Sequence, residues 1–115
     1  VVKSLVRGSI VWADLDPTRG REQSGTRPAL VVSSTGYLSS VRGLVMVLPV
    51  TSVDRGWPHH VPLAADESGL PKRSFAMTEQ LRTISIDRVS GRRGGVLDAT
   101  TMAQVDQWLR DFLIG

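Results

Sequence analysis

The sequence predicts a mainly β domain that ends in one α-helix, built as a small curled sheet or partly open barrel with the helix packed on it. Three observations carry this. Short runs of β-branched and aromatic residues recur along the first nine-tenths of the chain. Gly and Pro punctuate the gaps between them. The last fifteen residues change period, with Met102, Val105, Leu109 and Phe112 spaced by three and four. At 115 residues, one domain over 1–115 is expected. It is large enough to bury a core without disulfide or metal staples.

Residues 8–15, Gly-Ser-Ile-Val-Trp-Ala-Asp-Leu, alternate and read as a first strand. Asp16-Pro17 ends it, and a long polar loop with Gly20 and Gly25 runs to Pro28. Residues 29–34 resume as a buried strand, and 35–43 form a polar connection with room for a helical turn. Leu44 to Thr51 is a second apolar run. Pro49 cannot donate to a ladder, so it belongs at an edge, a bulge or a strand end. A loop over 52–58 leads to a short strand near His60 to Leu63, then another loop over 64–73. Residues 74–81 have helical propensity, but Pro71 before them and the alternation of Arg82 to Ile86 after them favour strand. Gly91-Arg92-Arg93-Gly94-Gly95 reads as a turn. Asp98 or Thr101 can cap the final helix, and Thr101 with Gln104 has capping-box spacing. Five to seven short strands and one amphipathic helix are expected.

Composition narrows the function classes. There is no cysteine, which excludes a disulfide framework and a cysteine zinc site. No run approaches the roughly 20 apolar residues of a membrane helix, and Val1 to Arg7 lacks the pattern of a signal peptide. A soluble cytoplasmic protein is expected. Net charge is +3, from 14 Lys plus Arg against 11 Asp plus Glu, and 12 of the 14 are Arg. Arginine's planar fork matches phosphate oxygens and stacks on bases. A codon bias toward Arg explains the bulk composition equally well, so individual arginines need local arguments.

Five constellations offer chemistry. The loop over 16–28 carries Arg19, Arg21, Glu22 and Arg27, and long loops in small domains tend to be functional. Metal-free RNA cleavage needs a base for the ribose 2′-hydroxyl, an acid for the leaving 5′-oxygen, and cations at the phosphorane. Glu22 and Arg27 are suitable types, although a solvated loop with a surface ion pair is the plainer reading by spacing alone. Thr51-Ser52, at a strand end, can donate to a phosphate or cap a turn. Glu79-Gln80-x-Arg82-Thr83 places an acid and an arginine three apart, as a phosphate flank or a surface pair. His59-His60 would point apart in a strand, with no third histidine to complete a metal site, so no metal is expected. Lys72-Arg73 and Arg92-Arg93 are basic turns that can meet phosphate. Of the aromatics, Trp12 in a strand fits the core, and Trp57 between Gly56 and Pro58 fits base stacking.

Three ordered segments resemble the MazF/PemK/Kid toxin family. The first is Gly8-x-Ile10-x-Trp12 leading into Leu15-Asp16-Pro17-Thr18-x-Gly20-x-Glu22-Gln23-x-Gly25-x-Arg27-Pro28. The second is Val47-Leu48-Pro49-Val50-Thr51-Ser52, and the third is Glu79-Gln80-x-Arg82-Thr83-Ile84 followed by the helix ending Leu113-Ile114-Gly115. The resemblance spans essentially the whole chain, and the first segment is its most specific part. It implies an SH3-like, partly open barrel with a C-terminal helix, paired as a homodimer. It implies a sequence-specific endoribonuclease that cuts single-stranded RNA, mRNA foremost, leaving a 2′,3′-cyclic phosphate and a 5′-hydroxyl. No metal or other cofactor is implied. A cognate antitoxin with a disordered acidic tail is implied as partner. Arg27 matches the family's catalytic arginine and Thr51 its catalytic hydroxyl. Glu79 and Glu22 match acidic positions with catalytic roles in some members. Ser52, Arg21, Gln80, Arg82 and Trp57 are the expected RNA contacts. Two departures stand out: Arg21 replaces a histidine that some members carry before the loop acid, and Met77 replaces an arginine that some members use as general acid. Two other readings stay open here. One is a non-enzymatic toxin of this fold that blocks a protein such as DNA gyrase. The other is a degenerate member that only binds RNA or antitoxin.

Overall fold

The computed structural model describes residues 5–15 and 25–115. Its elements run β1 (Ser9–Ala13), β2 (Arg27–Val31), α1 (Thr35–Ser40), β3 (Leu44–Thr51), β4 (His60–Leu63), α2 (Ala65–Ser68), β5 (Ser74–Met77), β6 (Arg82–Ser85), β7 (Val89–Val96) and α3 (Ala99–Leu113). Single 3₁₀ turns at Thr78–Gln80 and Ile86–Arg88 flank β6. The strands form an antiparallel sheet ordered β4-β5-β3-β2-β1-β7, with β6 also on β3. The ends β4 and β7 do not pair among the described residues, so the sheet curls without closing.

Alternation along the strands sorts side chains into two cores. Ile10, Trp12, Leu30, Leu48 and Val50 face one side, where Met102 and Val105 of α3 cover them. Val11, Ala13, Ala29, Val31, Val45 and Val47 face the other, with Val89, Ile84 and Leu38 of α1. Burial on both faces explains why β2 and β3 read as unbroken apolar runs rather than alternating ones.

Pro49 sits inside β3, opposite Ala29. Its missing N–H costs nothing there for a specific reason. On its other edge β3 pairs with β6 over Leu44 to Val47 and with β5 over Val50 and Thr51. Pro49 falls between the two partners, where no ladder bond is due.

Three expectations change. The connection over 64–73 is not all loop, because Ala65–Ser68 form α2. Residues 74–81 are strand only to Met77, and the Thr78–Gln80 turn follows. Gly91 to Gly95 is not a turn but the middle of β7, paired irregularly with β1. The glycines are there because α2 crosses at backbone contact. A Cβ at Gly95 would lie 1.7 Å from the Glu67 carbonyl oxygen, and one at Gly94 would lie 2.7 Å from that of Ser68.

The final helix begins as expected. Asp98 is its N-cap, accepting from Thr101 N at 2.9 Å. The Arg7 guanidinium pairs with Asp106 and also donates to the Val32 carbonyl at 3.1 Å, which ties α3 to the end of β2. No helix among the described residues is long and apolar enough to cross a membrane.

Candidate nucleic-acid cleft

Sheet register brings the ends of β1, β2 and β3 together. Ala13 pairs with Arg27 and Trp12 with Pro28. The β2–β3 register, continued two residues beyond Ala29 and Pro49, places Arg27 across from Thr51. Thr51 in turn pairs with Phe75 of β5. The result is a cleft of about 440 Å³ lined by Arg27, Thr51, Ser52, Lys72, Ser74 and Arg92, with Trp12, Pro28, Val50 and Leu70 as its apolar floor.

Three cations and three hydroxyls converge here, and the described lining has no carboxylate. Such a set suits a phosphodiester. The Thr51 hydroxyl accepts from Val53 N at 3.1 Å. That bond fixes the oxygen and does not use its O–H, which can donate to a phosphate oxygen. The Arg92 guanidinium carbon stands 3.9 Å above the Trp12 ring. Cation–π attraction to the indole holds the guanidinium at the cleft. Trp12 is 7% exposed, so it is core as expected, yet it also forms the seat of a cleft cation.

The structure therefore gathers Arg27, Thr51 and Ser52 and adds Lys72, Ser74 and Arg92. The basic pairs at Lys72-Arg73 and Arg92-Arg93 are legible in the sequence as phosphate contacts; which member of each pair turns inward is not. Glu22 and Arg21 lie outside the described residues.

Glu79 is elsewhere. It lines a separate concavity with Thr78, Leu81, Leu109, Phe112 and Leu113, and the two share no residue. Gln80 donates to Glu79 Oε2 at 3.3 Å. Trp57 is 47% exposed, but its ring stacks on His59 at 5.5 Å, beside Glu79 rather than at the cleft. Arg82 lies on β6 opposite Val47, outside the lining of the cleft.

The histidines contradict their expectation. They do not point apart, because His59 lies in the turn before β4 and only His60 is in the strand. Both Nε2 atoms approach Glu79 Oε1, at 3.5 Å for His59 and 3.0 Å for His60. Partial burial pushes the Glu79 carboxyl up. Hydrogen bonds from His60, from its own backbone N–H and from Gln80 outweigh this and hold it below its ordinary value of 4.5. A carboxyl with a depressed folded pKa stabilises the fold above its unfolded pKa and loses that contribution as pH falls through the folded one. Glu79→Gln in metal-free protein should therefore lower stability by about 1 kcal/mol at neutral pH. The gap should close on acidification below pH 4.5 in thermal melts. A gap that stays constant from pH 7 to pH 3 would contradict the pairing.

The geometry defines a class of protein: an open antiparallel sheet whose strand ends carry a cleft lined by cations and hydroxyls. Residues 6–113 match the model of the PemK-like, MazF-like toxins of type II toxin–antitoxin systems. The chain belongs to that family. It is 38% identical over 109 residues to endoribonuclease MazF9 of Mycobacterium tuberculosis, covering 90% of this chain and 92% of that one. The fold superposes on the crystal structure of MazF from Deinococcus radiodurans with a TM-score of 0.79 and 29% identity, covering 97% of this chain and 98% of that one. It also matches a MazE–MazF crystal structure from the same organism, with a TM-score of 0.78, 31% identity and 95% of each chain covered.

Proposed function

We propose that this chain is a cytoplasmic endoribonuclease toxin that cuts single-stranded RNA, mRNA foremost, at specific short sequences, and that a cognate antitoxin neutralises it. The observation that carries this reading is the convergence of Arg27 and Thr51, with Ser52, Lys72 and Arg92, in one cleft. Its family relatives include a protein named as an endoribonuclease, and one solved relative is a MazE–MazF complex.

In this reading the ribose 2′-hydroxyl attacks phosphorus, the bond to the 5′-oxygen breaks, and that oxygen leaves as a hydroxyl after gaining a proton. The products are a 2′,3′-cyclic phosphate and a 5′-hydroxyl end. Arg27 and Lys72 neutralise charge on the equatorial oxygens, and Thr51 and Ser52 donate to them. The described lining carries no carboxylate or imidazole, so a base for the 2′-hydroxyl has to come from outside it. Glu22 is the proposed supplier, because its segment leads directly into Arg27. Glu79 lies beyond the cleft along β5, and its proposed part is with a neighbouring nucleotide, alongside Gln80, Trp57 and Arg82. Among the described residues the lining of the cleft has no carboxylate for a hard divalent ion, and the cleavage proposed here uses no metal. A gyrase-blocking role would leave the cationic cleft without a use.

Exposed Trp57, Phe112, Leu113 and Ile114 give an antitoxin, or a second copy of the chain, apolar surface to cover. The test is digestion of a random-sequence RNA pool in EDTA with the cut sites mapped. Cleavage at a short shared sequence is expected; intact RNA after prolonged incubation would overturn the reading.

A further inference from the structure

We propose that His59, His60 and Glu79 form a binding site for one divalent transition-metal ion of the zinc class. The side-chain ligand atoms of the three residues all lie within 4.8 Å of one another. Bonds of about 2.0–2.2 Å from a tetrahedral zinc ion to nitrogen and oxygen set neighbouring ligand atoms about 3.3 Å apart. Glu79 Oε1 lies 3.5 Å from His59 Nε2 and 3.0 Å from His60 Nε2, on either side of that value, and the full set lies within 4.8 Å, so the two imidazoles draw together by a small ring rotation when an ion binds. Two imidazoles and one carboxylate are also the ligand set that zinc, cobalt and nickel favour over magnesium or calcium, which prefer oxygen alone.

An ordinary ion pair accounts for less. Gln80 donates to Oε2, while both imidazoles converge on Oε1. His60 is 4% exposed, and its Nδ1 has no hydrogen-bond partner among the described residues. Nε2 is therefore the nitrogen through which this buried ring meets Glu79 or an ion. The surroundings hold the rings in place. Trp57 stacks on His59 with planes 19° apart, and the edges of Trp108 and Phe112 meet it at 6.0 and 5.7 Å. Such an apolar collar orients ligands and limits water. The side chains of His59 and Glu79 stay 25% and 29% exposed, so an ion can enter and keep a water as fourth ligand. The site shares no residue with the Arg27–Thr51 cleft. It clasps the turn before β4 to the 3₁₀ turn after β5, and through the aromatic contacts of His59 it meets the end of α3.

The test uses tag-free protein stripped with EDTA and desalted, titrated calorimetrically with ZnCl2 and with MgCl2. One zinc ion per chain at micromolar affinity or tighter is expected, with a rise in melting temperature and no magnesium binding. Cobalt should give the intense visible bands of a four-coordinate site. His59→Ala, at a partly exposed turn, should keep the native circular dichroism and weaken zinc at least tenfold. Glu79→Gln should weaken it similarly. No zinc binding by the parent chain, or equal binding by both variants, overturns the proposal. The measurement contains no RNA, so its outcome is separate from that of the ribonuclease reading.

Discussion

Arg27→Ala is expected to lower RNA cleavage by about 10²–10³-fold while the protein stays folded, the range seen when one donor to a developing oxyanion is removed. The side chain is exposed, and its Cα is held by pairing with Ala13, so truncation removes no core contact. What it removes is the cation that stands across from the Thr51 hydroxyl. Charge on the phosphorane is greater than on the starting diester, so the loss should fall on kcat more than on KM. Arg27→Lys retains charge without the two-pronged donor geometry and should recover only part of the rate. Single-turnover kinetics on an oligonucleotide containing a mapped cut site, with circular dichroism as the folding control, decide it. Unchanged kcat in Arg27→Ala would remove this arginine from the chemistry.

Gly95→Ala is expected to destabilise the fold by about 3 kcal/mol or more, beyond the usual range for a surface-near substitution. The added methyl would occupy the position of a backbone carbonyl oxygen, that of Glu67, at 1.7 Å. A side chain could rotate away from such a contact, but the carbonyl belongs to α2, and α2 would have to leave β7. Gly94→Ala meets the Ser68 carbonyl at 2.7 Å and the Ile10 side chain at 2.8 Å and should behave similarly. Gly91 is the internal control. It lies on the same strand, and a methyl added there would meet nothing within 4 Å, so Gly91→Ala should stay within about 0.5 kcal/mol of the parent. Denaturant midpoints of the three variants test the contrast, and equal midpoints for Gly91→Ala and Gly95→Ala would contradict the packing of α2 on β7.

The same glycines show where local sequence signals stop. Gly-Arg-Arg-Gly-Gly carries every local mark of a turn, and its extended path follows from contact with α2, an element separated from it by β5 and β6 in sequence. The boundaries of β3 and β4 and the start of α3 are legible because each rests on a local signal: an apolar run, a flanking proline or glycine, a capping aspartate. Pro49 is legible as an exception but not as a solution, since the gap between β6 and β5 along one edge of β3 is a property of pairing.

The candidate site divides in the same way. Arg27, Thr51 and Ser52 can be named from residue type and resemblance, and antiparallel register then sets them in one cleft. Arg92 belongs there because Trp12 holds it, a contact between the first strand and the last. The approach of His59 and His60 to Glu79 escapes a reading by alternation, which treats both histidines as strand, whereas one lies in a turn. Their meeting also depends on His60 pairing with Met77, which no local pattern announces.

The most direct measurement of the central claim is the chemistry of the cut ends. An oligonucleotide containing the mapped site is digested in EDTA beside the same oligonucleotide with a single 2′-deoxy nucleotide on the 5′ side of the scissile phosphate. The account predicts a 2′,3′-cyclic phosphate and a 5′-hydroxyl from the first and no cleavage of the second. Cleavage of the deoxy-substituted strand, or a 5′-phosphate on the product, would contradict attack by the 2′-hydroxyl in the Arg27–Thr51 cleft.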